Sequence, residues 1–217
     1  MVTALSGAFL EELATQRLLA IIRGTDPAAA TQAALCLVES GIRFLEVSLV
    51  TTDALRVIAE LARQAGDSCV LGAGTVLTRE DVARAQEAGA TFMVTPAVTE
   101  AVAESVAFGI PVLAGAFTPT EAVTAMNLGA TAVKLFPASL GGPAYLRALR
   151  DPLPGVAFVP VGGVNAALAA EYLAAGAVAV GIGSPLVGDA ARGGDLDALR
   201  ERAAQFRAVA EASRACR

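Results

Sequence analysis

The sequence predicts an α/β fold, a parallel (β/α)8 TIM barrel with an extra helix at the N-terminus. Eight short apolar runs rich in β-forming residues recur along the chain, and amphipathic helical patterns separate them. Glycines that typically end helices follow several of these patterns. Eight strands each followed by a helix favour a parallel sheet, and eight strands close into a barrel. The length of 217 residues suits a single barrel domain over residues 1–217.

The predicted elements follow one another without a linker. The strands are predicted at residues 19–23, 44–49, 69–73, 92–95, 112–115, 132–136, 157–161 and 178–182. Helices between them include residues 53–64, 79–88, 120–128 and 166–175; residues 1–15 form the extra helix and residues 196–212 a long final one. An open doubly wound sheet is the alternative fold. It would place a glycine-rich loop after the first strand, where residues 23–27 read RGTDP and match no dinucleotide fingerprint.

The composition and net charge of the chain limit the kinds of binding partner that it is expected to have. The chain is 55% hydrophobic, yet no uncharged apolar stretch of about 18 residues predicts a transmembrane helix. Doubly buried parallel strands and a large subunit interface would both account for the apolar excess. The net charge is −5 and there is no basic run, so nucleic acid is not an expected partner. Residues 1–18 do not resemble a secretory signal, and we therefore expect a cytoplasmic protein.

The residue types that are missing restrict the chemistry. There is no histidine, which excludes Ser/His and Cys/His catalysis and the commonest zinc ligand. The three cysteines, Cys36, Cys69 and Cys216, are odd in number and have no metal-binding spacing. We predict no metal site and no cofactor. Catalysis is left to Lys, Glu, Asp, Tyr, Thr, Ser, Arg or the backbone.

Polar and small residues gather where the predicted strands end. In a barrel of this kind the chemistry lies at the C-terminal ends of the strands. The residues there are Arg23, Glu46, Thr75, Thr95, Gly115, Lys134, Gly162, Gly163, Gly183 and Ser184. Because the strands are otherwise apolar, these positions are the candidate site.

Lys134 is the sharpest single signal. The chain has 16 Lys and Arg residues, of which 15 are arginine, so Lys134 is its one lysine. Arginine cannot replace lysine as an imine-forming amine, because the guanidinium stays protonated. Lys134 within a central strand therefore predicts nucleophilic attack on a ketone. A structural pairing of Lys134 with a carboxylate is the alternative.

Glu46 lies in the second strand. Alternation along a strand puts Phe44, Glu46 and Ser48 on one face. A buried carboxylate needs a partner or a proton. We predict that Glu46 is a general base whose pKa burial raises; a structural ion pair with Lys134 or Arg23 is the alternative.

Two further strand ends carry candidate groups. Arg23 ends the first strand and is suited to bind a substrate carboxylate with two hydrogen bonds, unless it forms a salt bridge at the rim. Thr75 is suited to hydrogen-bond substrate or a catalytic water, although it would be unremarkable as a bare loop residue. Loops after strands seven and eight of such barrels often bind phosphate, and glycine permits close approach of the backbone. Simple tight turns are the alternative there.

The motifs resemble those of the 2-keto-3-deoxy-6-phosphogluconate (KDPG) / 4-hydroxy-2-oxoglutarate (KHG) aldolase family over nearly the whole chain. They are residues 45–47 (LEV), 72–77 (GAGTVL), 95–96 (TP), 134–138 (KLFPA) and 160–164 (PVGGV). The resemblance implies a homotrimeric class I aldolase of the (β/α)8 fold with Lys134 as the Schiff-base lysine. It implies Glu46 as proton acceptor and donor, and Gly162, Gly163, Gly183 and Ser184 as the phosphate cradle. From the residues themselves we expect Thr75 to assist catalysis and Arg23, Thr95, Pro96 and Phe136 to contact the substrate.

Two positions depart from the family pattern. Val50 stands where well-studied members have an arginine four residues after the glutamate, and Val161 where many have threonine before the glycine pair. The first change leaves Arg23 as the expected carboxylate ligand. The second leaves gluconate-type and galactonate-type substrates unseparated.

The expected reaction cleaves KDPG to pyruvate and glyceraldehyde 3-phosphate, as in the Entner-Doudoroff route. The galactonate epimer and KHG are alternative substrates. A sugar-phosphate isomerase, epimerase or synthase on the same barrel is a rival enzyme, and a non-catalytic sugar-phosphate sensor is a rival of another class. Neither rival requires a lysine in strand six paired with a glutamate in strand two.

Overall fold

The computed structural model describes residues 2–215. Within this range eight parallel strands form one sheet in the order β7-β6-β5-β4-β3-β2-β1-β8. A parallel bridge between Val161 and Gly181 joins the two ends of the sheet and closes the barrel. The strands are β1 (Leu18–Ile22), β2 (Phe44–Ser48), β3 (Val70–Gly74), β4 (Phe92–Val94), β5 (Val112–Ala116), β6 (Ala132–Leu135), β7 (Phe158–Pro160) and β8 (Val180–Ile182).

Helices surround the barrel and alternate with the strands. They are α1 (Val2–Gln16), α2 (Pro27–Glu39), α3 (Ala54–Ala65), α4 (Arg79–Glu87), α5 (Glu100–Ala107), α6 (Pro119–Asn127), α7 (Ala138–Arg150), α8 (Ala166–Ala174), α9 (Ser184–Val187) and α10 (Leu196–Ala215). Two 3-10 turns cover Gly66–Ser68 and Ala190–Arg192. No helix in residues 2–215 combines the length and the apolar character needed to cross a membrane.

The (β/α)8 prediction is confirmed, and the doubly wound alternative is wrong because the strands follow one another in chain order and a bridge joins the two ends of the sheet. The predicted bounds of the strands differ from the observed ones by at most two residues: Arg23, Thr95 and Phe136 lie just beyond the strands to which they were assigned. The short helix α9 and the 3-10 turn Ala190–Arg192 were not predicted, because segments of three or four residues leave no periodic pattern. Cys216 lies outside the described residues, and Cys36 and Cys69 are buried free thiols.

Capping residues explain where several helices begin. The Asp26 carboxylate accepts hydrogen bonds from the first backbone N–H groups of α2, which starts with Pro27. Thr78 before α4 and Thr118 before α6 form reciprocal capping boxes with Asp81 and Glu121. These loops follow the C-terminal ends of the strands, so the caps also fix the backbone around the mouth of the barrel.

The barrel interior has an apolar lower half at the N-terminal ends of the strands. There α1 closes the barrel by inserting Phe9 and Leu13, which are 8% and 0% exposed. The Phe9 ring lies 5.5 Å from the ring of Phe44 and 5.2 Å from that of Phe92, between centroids. Tilted and edge-on ring pairs of this kind add stability beyond the apolar area they bury. The opposite faces of the strands pack against the surrounding helices.

Candidate active site

A cavity of about 500 Å³ opens at the C-terminal ends of the strands. Every strand except β5 contributes to it directly or through the loop that follows. Its lining residues are Ile21, Arg23, Glu46, Thr75, Pro96, Lys134, Phe136, Val161, Gly162, Gly163, Gly183, Ser184, Pro185, Val187, Gly188 and Arg192. Ten of the twelve candidate residues named from the sequence therefore meet in one cavity, and Thr95 and Gly115 do not line it.

Lys134 projects from β6 into this cavity. Its strand neighbours are Gly115 on β5 and Val159 on β7, and the residue is 7% exposed. The Nζ atom lies 5.4 Å from the centroid of the Phe136 ring, within the range of a cation–π interaction. Among the ion pairs of the described residues none involves Lys134. The amine is thus held by an aromatic face and not by a salt bridge.

Glu46 is buried to 1% exposure, and its Oε2 atom has no hydrogen-bond partner within the described structure. Gly74 makes room for the carboxylate, since a Cβ atom there would overlap Glu46 Oε1. Burial raises the pKa of Glu46, while the charges of Lys134 and Arg23 oppose this shift. A carboxyl group whose pKa is raised in this way keeps its proton to a higher pH than usual and can exchange it with a substrate, as acid–base catalysis requires.

Thr75 carries backbone strain. Its φ is +60°, a left-handed conformation that is rare for a β-branched residue. The Thr75 hydroxyl lies 2.7 Å from the hydroxyl of Ser48, which is fully buried on the inner face of β2. Such strain persists where the surrounding structure enforces it, and it is concentrated at functional sites. The sequence did not reveal this geometry, because no residue type in the segment demands a positive φ.

Arg23 lies on the exposed rim of the cavity. It is close enough to Glu46 for its charge to lower the pKa of that carboxyl group. No ion pair joins the two residues, and none joins Arg23 to another carboxylate in residues 2–215. The guanidinium group is therefore available for an anionic ligand, and its binding of a substrate carboxylate stays a prediction.

Thr95 faces away from the cavity. Its buried hydroxyl donates to the carbonyl oxygen of Ala97 at 2.7 Å and accepts from the backbone N–H of Gly115 at 3.1 Å. These bonds tie the loop after β4 to β5. They place the next residue, Pro96, on the cavity wall. Direct contact of Thr95 with substrate stays a prediction, although its hydroxyl proton is already donated to Ala97.

The glycines after β7 form one side of the cavity. Gly162 and Gly163 have φ values of +100° and +73°, which side-chain-bearing residues rarely adopt. The Gly162 carbonyl accepts a hydrogen bond from the backbone N–H of Ser139 at 3.0 Å, so this loop is fixed to the start of α7. With Gly183 and Ser184 after β8, these residues leave the backbone open to a ligand, as a phosphate cradle would require.

Sequence reasoning missed several lining residues. Ile21, Val187 and Pro185 supply apolar surface, and Arg192 supplies a positive charge from the 3-10 turn after α9. The available signal was an arginine eight residues after Ser184. It lies too far beyond the end of β8 to be found from strand ends alone.

A second cleft of about 480 Å³ lies between the β2 loop and α4, beside Asp53, Arg56, Asp81 and Arg84. Its charges have local partners: Arg56 lies 3.7 Å from Asp53, and Asp81 caps α4. It contains no lysine. Elsewhere within the described residues, no three His, Cys, Asp or Glu side chains are grouped to hold a metal ion.

Comparison with known proteins matches this geometry. The family described as "Aldolase: KDPG and KHG aldolase" matches residues 10–201. The chain belongs to the KDPG and KHG aldolase family. It is therefore a class I aldolase, a carbon–carbon lyase.

Individual relatives differ in their named substrates. A probable 2-dehydro-3-deoxy-6-phosphogalactonate aldolase of Rhizobium meliloti is 39% identical over 86% of this chain and 87% of its own length. The KHG/KDPG aldolase of Escherichia coli is 38% identical over 78% of this chain and 81% of its own. A solved KDPG aldolase from Legionella pneumophila, with pyruvate captured as a covalent carbinolamine, is 28% identical with a TM-score of 0.79. This match covers 96% of the present chain and 97% of the Legionella pneumophila chain.

Proposed function

We propose that this aldolase cleaves KDPG to pyruvate and glyceraldehyde 3-phosphate through a Schiff base on Lys134. One observation carries the proposal: the single lysine of the chain shares a cavity with the buried carboxylate of Glu46, which has an unpartnered oxygen. An amine nucleophile and a carboxyl group of raised pKa are the two groups that imine chemistry needs.

Imine formation begins when the neutral amine of Lys134 attacks the C2 ketone of the substrate. The product is a carbinolamine, in which C2 carries both the amine and a hydroxyl group. Glu46 in its protonated form donates a proton to that hydroxyl, which leaves as water and yields the protonated imine. The raised pKa of Glu46 favours the protonated form that this step uses.

Carbon–carbon cleavage uses the same carboxyl group in the opposite direction. The Glu46 carboxylate accepts the proton of the C4 hydroxyl, and the C4–O bond becomes the carbonyl of the released aldehyde. The electrons of the C3–C4 bond move into the protonated imine, which becomes an enamine. Glu46, which now carries that proton, returns it to C3 and regenerates the protonated imine. Hydrolysis of this imine releases pyruvate and the free amine of Lys134.

The remaining groups orient the substrate. We place the carboxylate beside Arg23, because an anion at the mouth of a largely apolar barrel requires a counter-charge. The phosphate belongs at Gly162, Gly163, Gly183 and Ser184. Thr75, held by Ser48, lies on the wall between Glu46 and the β4 loop, where its hydroxyl can bind substrate or a water molecule. Pro96 and Phe136 complete the surface around the pyruvyl group.

The galactonate epimer is the second candidate substrate. Val161 lines the cavity before the glycine pair and offers no hydroxyl group for hydrogen bonding. The Rhizobium meliloti relative is named for this epimer. Comparison of kcat/KM for the two purified epimers separates the candidates, since the enzyme should favour one of them. KHG, which lacks the phosphate, is a third substrate for the same assay.

Borohydride reduction in the presence of pyruvate tests the mechanism. We expect the protein to gain the mass of one reduced pyruvate at Lys134, because only an imine is reduced to a stable amine. The Lys134→Arg variant is the matched control and should gain nothing. A sugar-phosphate isomerase or a non-catalytic sensor would also gain nothing in the wild-type form, and that result would overturn the proposal.

A homotrimer remains a prediction from the family resemblance, as do a cytoplasmic location and a place in the Entner-Doudoroff route. Exposed apolar side chains support an interface between subunits: Leu140 is 75%, Val50 60% and Leu77 44% exposed. Light scattering on the eluted protein measures the number of chains. A mass of one chain at micromolar concentration would contradict the trimer.

A further inference from the structure

Arg192 is a cation of the cavity to which the proposed reaction assigns no role. It ends the 3-10 turn Ala190–Arg192, which follows the short helix α9 that begins at Ser184, and it lines the same cavity as Gly183 and Ser184. Its side chain is exposed to the cavity mouth. In the part of the chain that the structure describes, Arg192 forms no ion pair. The guanidinium group therefore lines a cavity without a protein partner.

The segment that carries Arg192 is fixed at the turn and at the helix before it. Gly24, next to Arg23, packs so closely on the turn that a Cβ atom there would overlap the carbonyl oxygen of Ala191. In the preceding helix α9, the carbonyl oxygens of Leu186 and Val187 accept hydrogen bonds from Arg202 of α10, at 2.6 and 3.1 Å. Arg192 thus projects from a fixed segment.

The proposed roles of the charged residues in the cavity leave the substrate phosphate without a counter-charge. Arg23, Lys134 and Arg192 carry positive charge and Glu46 can carry a negative one, although the whole chain has a net charge of −5. The cavity thus favours anions in an acidic protein. In the proposed reaction Arg23 takes the carboxylate and Lys134 forms the imine. The glycine cradle offers neutral N–H groups, so a phosphate bound there still needs a counter-charge.

We propose that Arg192 binds the phosphate of the substrate and sets the preference of the enzyme for phosphorylated keto acids. This inference rests on the proposed function and adds a side-chain ligand to the phosphate position. A guanidinium group can donate two parallel hydrogen bonds to phosphate oxygens. The phosphate lies at the end of the substrate remote from the bond that breaks, so Arg192 acts on substrate binding more than on the chemical step.

The test compares wild type with Arg192→Met on KDPG and on the same sugar acid without phosphate. We expect the ratio of the two kcat/KM values, phosphorylated over unphosphorylated, to fall roughly 10- to 100-fold, the range for a lost charge-assisted hydrogen bond. Most of the fall should come from a higher KM for KDPG. Arg192→Lys should keep an intermediate ratio, since it retains a charge without the paired donors.

Arg84→Met is the matched control, because Arg84 is an exposed arginine on α4 outside this cavity. Its ratio should equal that of wild type. Inorganic phosphate gives a second readout: it should inhibit KDPG cleavage by wild type at lower concentration than cleavage by Arg192→Met. An unchanged ratio in Arg192→Met would overturn the inference, whether kcat/KM stays at the wild-type value on both substrates or falls equally on both.

Pyruvate trapping with borohydride separates failure of this inference from failure of the proposed function. Wild type that traps no pyruvate overturns the Lys134 mechanism itself. Wild type that traps pyruvate, together with an Arg192→Met variant of unchanged ratio, overturns the role of Arg192 alone. Trapping by Arg192→Met further shows that this variant keeps the Lys134 end of the cavity.

Discussion

The lower and upper halves of the barrel interior are built on the same strands but have opposite character. In the lower half Phe44 of β2 and Ala132 of β6 face inward among apolar neighbours. Two residues further along, the same strand faces carry Glu46 and Lys134. One pleat repeat therefore separates a packed core from a reactive pair. An inward-facing residue near the N-terminal end of a strand therefore packs in the apolar core, whereas one near the C-terminal end lines the cavity.

Changing Lys134 tests the upper half most severely. Lys134→Arg keeps the charge but removes the amine that forms the imine, so aldol cleavage should be abolished. Release of pyruvate from KDPG, followed by a coupled dehydrogenase assay, measures the loss. Circular dichroism should show an unchanged fold. Cleavage at a substantial fraction of the wild-type rate would show that no lysine imine is involved.

Changing Glu46 removes the acid–base group and keeps the nucleophile. Glu46→Gln should lower kcat roughly 10²- to 10⁴-fold, the usual contribution of such groups. Steady-state kinetics measure this effect, and Glu80→Gln on the exposed surface of α4 is the control. A Glu46→Gln variant within a few fold of wild type would leave Glu46 a purely structural role.

A change in the lower half should act on stability instead. Phe9→Ala removes a ring that packs against Phe44 and Phe92, and it should lower the free energy of unfolding by about 3–5 kcal/mol. Urea denaturation measures the loss, and kcat/KM of the folded fraction should stay near the wild-type value. Leu5→Ala on the same helix is the control: Leu5 is 57% exposed, so a change below about 0.5 kcal/mol is expected. A large loss of kcat/KM in Phe9→Ala would mean that the two halves are not independent.

Changing Arg23 tests whether a residue at the exposed rim of the cavity acts on substrate binding without affecting stability. Arg23→Met should raise the KM for keto acid and the Kd for pyruvate roughly 10- to 100-fold, because a charged hydrogen-bond donor is lost. The free energy of unfolding should change little, since Arg23 is exposed. Fluorescence or calorimetric titration with pyruvate measures the binding.

The double variant Arg23→Met with Val50→Arg tests whether the position of the charge has moved around the rim. Val50 is 60% exposed beside the end of β2, and an arginine there should recover part of the lost affinity. Normal pyruvate binding by the single variant would assign the carboxylate to other groups, such as backbone N–H donors near Thr75.

The smallest effect concerns the dependence of stability on pH. Burial raises the pKa of Glu46 above its usual 4.5, so the folded protein binds this proton more tightly than the unfolded chain does. The contribution of Glu46 to stability is therefore full below pH 4.5 and is lost as the pH rises through the folded-state pKa. Urea denaturation over this range should show wild type losing stability relative to Glu46→Gln. A constant difference would mean that the pKa of Glu46 is not raised.

The fold and most of the cavity could be predicted from the sequence, because the spacing of the apolar runs locates the strands and a closed parallel barrel brings the strand ends together. Continuous apolar runs identified all eight strands, and parallel closure brought their ends together. The roles of the residues gathered there stay predictions. The pattern of residue types along a strand does not show where the side chain at the strand end points. Thr95 ends β4, yet its hydroxyl turns toward Ala97 and Gly115.

Two other features depend on contacts that no spacing reveals. The bond between Ser48 and Thr75 joins residues 27 positions apart, and it forms at a left-handed residue that the sequence does not mark. Arg192 reaches the cavity because a 3-10 turn packs against Gly24, far away in the chain. Both arise from tertiary packing, which overrides the local preferences that sequence reasoning uses.

Because the chain has a single lysine, proteolysis at that residue can measure how much of the protein has formed the imine. An endoprotease that cleaves after lysine cuts the denatured polypeptide once, after Lys134, into fragments of 134 and 83 residues. A lysine alkylated by reduced pyruvate is no longer a substrate for such a protease. The uncut fraction on a gel therefore reads out the occupancy of the imine directly, without isotopic label or mass spectrometer.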